Sequence, residues 1–154
     1  MKKLYFFVPE NFDGDRVLED LDIRRQRERI KDVYHYIVGT IVKLSASYRS
    51  DSSIDEDGGF APRLKADWLK KVIGSNYLVY LKQLEMAGVI SRGYSYLVGH
   101  HSKEVMLTEE YQDTPRRRVE IRDLSLKRQY RNFQTKRYKQ QKRKLYEYEP
   151  IMQW

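Results

Sequence analysis

The sequence predicts a mainly α-helical protein with one small β-hairpin and a basic helical extension toward its C-terminal end. Three observations predict it. Apolar residues recur at three- and four-residue spacing over about residues 23–48 and again over 64–87. Two short β-like runs then flank a Gly-His-His-Ser turn at 99–102. A cationic segment with helical spacing follows Pro115.

Residues 1–22 read as an N-terminal arm and loop. KKLYFFV at 2–8 suits a short strand or an anchoring arm, and 9–22, acidic and broken by Pro9 and Gly14, suits a loop or a loose helical turn. A long helix is predicted over 23–48, with Ile30, Val33, Tyr34, Ile37, Val38, Ile41 and Leu44 as its apolar face. Gly39 inside that helix costs about 1 kcal/mol against alanine, which a close packing partner would explain. Residues 49–63 are rich in Ser, Asp, Gly and Pro and form a loop. Residues 64–87 hold two helices. Leu64, Trp68, Leu69 and Val72 stripe the first, Gly74 ends it, and Ser75 supplies the N-cap of the second. At 100° per residue, Tyr77, Tyr80, Leu81 and Leu84 share one side of that helix. Asn76, Val79, Lys82 and Gln83 fall opposite, with Leu78 at the flank. Gly88 stops it, and a hairpin over 89–108 follows, with strands at about 94–98 and 104–108. Helix, loop, helix, tight turn, helix and hairpin are the order of a winged helix-turn-helix, so 23–114 read as one such domain. Residues 115–154 are its basic helical extension, in which Leu124, Leu126, Tyr130 and Phe133 keep rough helical spacing.

A length of 154 residues allows one domain plus an extension. No cysteine is present, which removes disulfides and thiolate metal sites and fits a reducing compartment. No apolar run approaches the ~20 residues that span a bilayer. The apolar burst at Met1–Val8 is too short for a signal peptide and lacks a small-residue cleavage site. A soluble, cytoplasmic protein without a membrane role is expected. The net charge of +8 is concentrated: residues 116–144 hold 13 basic and 2 acidic side chains, whereas residues 1–115 hold 17 and 18. A neutral body with one cationic segment points to a polyanion partner.

The block DGGFAPRLKADWLKKVIGSNYLVYLKQLEMAGVI followed by SYLVGHHSKEVMLTEEY resembles the winged-helix modules of replication-type and uncharacterised proteins of bacteriophages and mobile elements, over about residues 57–111. Its LKQLEMAGVI core is also similar to winged-helix transcription regulators. The resemblance implies a DNA-binding role in replication or transcription control, in the cytoplasm of a bacterial host. In that family the outward positions of the third helix are often basic. Here Leu78 and Val79 follow Tyr77. These residues either contact thymine methyls or pack against another protein surface, a second copy included.

The candidate nucleic-acid contacts fall in three groups. Helix three offers Ser75, Asn76, Val79, Lys82 and Gln83. The wing tip offers His100, His101, Ser102 and Lys103. The basic segment offers Arg116, Arg117, Arg118, Arg122, Lys127, Arg128, Arg131, Lys136, Arg137, Lys139, Lys142, Arg143 and Lys144, interleaved with Tyr130, Phe133 and Tyr138. Each has a plainer alternative: a solvated helix face, an ordinary loop, or a charged helix whose tyrosines pack on the body.

No catalytic residue, metal or cofactor is expected. The sequence has no Walker-type phosphate loop and no dinucleotide fingerprint. His35, His100 and His101 are its three histidines, and the adjacent pair would point to opposite faces of a strand. Ser53–Gly58 faintly echoes a calcium loop. Its first position is Ser53 and its closing position Leu64, where carboxylates are required. The expected function is nucleic-acid binding, with double-stranded DNA the leading partner. The alternative is an assembly protein, with the apolar helix-three face contacting protein and the basic segment binding nucleic acid non-specifically or an acidic partner.

Overall fold

The structure, a computed structural model, describes residues 2–51, 63–92 and 102–152, with side chains over 2–45, 68–92 and 105–139. The element order is β1 (Leu4–Pro9), α1 (Gly14–Asp20), α2 (Arg27–Asp51), β2 (Arg63–Lys65), α3 (Ala66–Ile73), α4 (Tyr77–Met86), β3 (Ile90–Arg92), β4 (Ser102–Leu107), β5 (Arg116–Ile121) and α5 (Leu124–Met152). It is mainly helical, with small antiparallel sheets. One sheet pairs β1 with β5 and the other runs β2-β4-β3.

The central helix α2 owes its burial to the periodicity seen in the sequence. Val33, Tyr34, Ile37, Val38 and Ile41 are fully buried along it. It starts at Arg27 rather than 23 because the chain before it turns through positive φ at Asp22 and Gln26. Strand β1 crosses α2 at Gly39. A Cβ there would stand 2.8 Å from the Phe6 Cβ and 2.9 Å from its Cδ1. Gly39 therefore admits β1, and the helix-propensity cost anticipated from the sequence is offset by this contact. Gly39→Ala gains about 1 kcal/mol of helix propensity but must displace a core ring. We expect a net loss of about 1–2 kcal/mol, read as a lower urea midpoint. A Phe6→Ala/Gly39→Ala cycle should show coupling between the two sites. A more stable Gly39→Ala protein would contradict the close approach.

The N-terminal residues form the expected short strand at Leu4–Pro9 and a short helix at Gly14–Asp20. Asp13 caps α1 by accepting from the Asp15 amide at 3.0 Å, and Val17 and Leu18 bury the short helix against the body. The segment after Pro115 also departs from the expected helical extension. Arg116–Ile121 form a strand in register with β1, pairing Phe6 with Val119 and Leu4 with Ile121. The reason is period two: Val119 and Ile121 turn inward to join the core while their neighbours turn out. The helix begins only at Leu124, whose own side chain is exposed, not part of the apolar stripe. Two aspartates fix its start. Asp32 of α2 accepts from the amides of Arg122 (3.0 Å) and Asp123 (2.8 Å), and Asp123 accepts from the Leu126 amide at 2.8 Å. Burial raises the Asp32 pKa, and those two amide hydrogen bonds pull against the rise. Phe6, Tyr36 and Tyr130 then meet edge to face at 5.3–5.7 Å, joining β1, α2 and α5. One hydrophobic cluster runs from Phe6 to Phe133, so the three-part division at 22 and 114 does not separate independent cores.

Between these elements lie the two expected short helices. Leu64 and Lys65 belong to β2 rather than α3, because the strand pairs with β4 over 63–65. Gly74 takes φ 110° at the turn. Asn76, not Ser75, occupies the N-cap of α4, without a side-chain bond. The hairpin strands fall at 90–92 and 102–107. The run expected at 94–98 lies outside the described residues.

Candidate nucleic-acid interface

Helix α4 buries Leu81 and Leu84 and half-buries Tyr77 and Tyr80. This is the inward side that the helical spacing predicts. Of the outward candidates, Ser75, Asn76, Val79 and Lys82 are exposed. Gln83, expected among them, is partly buried instead. Its Oε1 accepts from the buried Tyr34 hydroxyl at 2.6 Å, so it is engaged in the body. On the helical wheel it borders Tyr80, close enough to the core side to be captured by α2. The exposed arc is instead Leu78, Val79, Lys82 and Met86, with Met86 the most open at 68%. Position 86 lies four residues from 82, a signal that could have placed it on this face. The helix is locked to β3 by a two-pronged pair, Arg92 to Glu85 at 2.6 and 3.0 Å, which holds the Glu85 carboxyl below its usual range.

Of the residues expected at a wing tip, His100 and His101 lie outside the described residues. Ser102 and Lys103 lie on β4, paired with Lys65 and Leu64 of β2.

The basic segment divides into cations held by the protein and cations facing water. Arg117 donates to the Phe12 carbonyl at 2.8 Å. Arg131 donates to the Lys2 and Lys3 carbonyls at 3.0 and 3.4 Å. Arg137 lies 4.1 Å over the Trp68 ring, which itself packs on Phe133 at 5.8 Å. This clamps α5 to α3 through aromatic and cation–π contact. Lys127 is buried. These four candidates serve the fold, which their charge alone could not reveal. Arg116, Arg118, Arg122, Arg128, Lys136 and Lys139 are exposed. Arg128 and Lys139 are eleven residues apart, so they lie within about 20° of each other on the helix and about 16 Å apart along it. Lys142, Arg143 and Lys144 continue α5, where the backbone alone is described. The arrangement can place a row of cations along one side of a helix whose other side is fixed to the body.

Compared with protein-family models, with curated proteins and with solved structures, the chain matches none. Among the described residues, no helix is long and apolar enough to cross a membrane.

Proposed function

We propose that this chain is a winged-helix protein that binds nucleic acid, double-stranded DNA foremost, in the replication or transcription control of a phage or mobile element. The observation that carries the reading is the set of solvent-facing cations, Arg128, Lys136 and Lys139, on a helix anchored by its opposite face. Phosphates are neutralised there, giving affinity and register without sequence information. The order α2-β2-α3-α4-β3-β4 and the sheet order β2-β4-β3 support the winged-helix assignment. Lys82 is the sole cation on the exposed arc of α4, so base reading by that helix is limited.

Fluorescence anisotropy with a labelled duplex across a salt series tests this. Replacing Arg128, Lys136 and Lys139 together by Gln should weaken duplex binding about ten- to a hundredfold. It should also reduce the salt slope by up to about three. Unchanged affinity, or no binding by the intact chain at low salt, would overturn the proposal. A second reading is favoured by the exposed Leu78, Val79 and Met86: α4 as an assembly surface. Leu78→Glu separates the two. Loss of self-association with duplex binding retained supports assembly through α4.

A further inference from the structure

The outer face of the β1–β5 sheet carries a feature that the duplex reading does not use. In an antiparallel pair, residues directly opposite share a face. Phe6 and Val119 point into the core. Their neighbours, Tyr5 with Glu120 and Phe7 with Arg118, point out, whereas Pro9, paired with Arg116 at the strand end, is buried. Phe7 is 56% exposed and Tyr5 39%, two aromatic rings side by side on the face of the strand turned away from the core. The Arg118 guanidinium lies 4.4 Å over the Tyr5 ring. Arg116, Arg118 and Arg122 are all exposed here, against one acid, Glu120, which pairs with Arg122 at 3.5 Å.

We propose that this face is a stacking platform for unpaired bases of single-stranded nucleic acid. The Phe7 ring offers a flat apolar surface to one base. The Tyr5–Arg118 pair offers a second, as a ring capped by a planar cation. Arg116 and Arg122 supply charge for the backbone at either end. Aromatics on a cationic, rigid strand pair are what sequence-tolerant single-strand binding requires. Charge decides against an apolar protein partner, because three arginines would have to be desolvated beside the rings. The platform rests on β1, which the Gly39 contact and the pairing with β5 hold in place. It is therefore formed before any ligand arrives, and it does not depend on the winged-helix reading.

The test is anisotropy of labelled oligo-dT beside an abasic strand of equal length, with the full chain. The intact chain should prefer the base-bearing strand. Phe7→Ala should weaken that binding about tenfold and erase the preference, while the abasic strand and the duplex bind as before. Phe7→Trp should retain the preference. Equal binding of the two strands, or insensitivity to Phe7→Ala in a protein with an unchanged thermal melt, overturns the platform. Loss of self-association in sedimentation by Phe7→Ala, with strand binding intact, also overturns it and makes the face a contact between copies. The Gln variant of α5 leaves the preference for bases in place, so the two proposals fail separately.

Discussion

A chain ending at Thr114 is expected not to fold. It keeps β1–β4 and α1–α4 and removes only β5 and α5. Yet Val119, Ile121, Leu126 and Phe133 belong to the buried core. Burying each such side chain is worth about 1.5–3 kcal/mol, and the four together rival the roughly 5–15 kcal/mol net stability of a typical domain. The loss extends to what they cover. Strand β1 loses its partner β5, Phe6 loses the Tyr130 ring, and Trp68 loses Phe133 and Arg137. Far-UV circular dichroism and an amide proton spectrum would read the outcome. We expect reduced helix signal, poor dispersion and no cooperative melt. A cooperative melt by the 1–114 chain would show that α1–α4 hold a core of their own.

Acid should destabilise the protein through His35. Both ring nitrogens are buried and lack a hydrogen-bond partner. The ring sits beside Gly14 and edge-on to Phe12 at 6.0 Å. Burial, followed by the charges of Arg117 and Lys31, pushes its pKa down to about 4 from 6.5. Asp15 and Asp13 oppose this only weakly. The unfolded chain takes up a proton as pH falls through 6.5, and the folded chain refuses it until about 4. Stability is therefore lost across that window, by roughly 3 kcal/mol, and levels off below it. Asp32 acts in the opposite sense, because its raised pKa favours the folded state as acid increases. The comparison that isolates His35 is urea unfolding at pH 7.5 and pH 4.5 beside His35→Leu, in which Asp32 is unchanged. The variant should lose markedly less stability between the two pH values. Equal losses would remove His35 as the cause.

Local periodicity was legible; distant pairing was not. The apolar faces of α2 and α4, the Gly74 turn and the Gly88 stop follow from spacing within a dozen residues. Gly39 announced a cost, but its partner lies 33 positions away. Strand β5 was hidden because its inward residues, Val119 and Ile121, are set among arginines that suggested a solvated helix. Nothing within that segment points to Leu4–Pro9. Charge was legible as a sum and illegible by residue. Arg117, Arg131 and Arg137 bond to the body, whereas Arg128 and Lys139 face water, and only the fold separates them. Gln83 illustrates the same limit on α4, since its partner Tyr34 belongs to another helix.

The pairing of Leu4–Pro9 with Arg116–Ile121 also sets a schedule for synthesis. Residues 4–9 leave the ribosome well before their partner strand, which emerges more than a hundred residues later. At about 5–20 residues per second, the hydrophobic LYFFVP segment waits roughly 6–20 s with its edges unpaired. Such long-range closure slows folding and leaves an aggregation-prone strand open meanwhile. The nascent chain therefore has a window in which a chaperone that holds extended apolar segments would engage Leu4–Pro9, and that window closes when Ile121 clears the exit tunnel.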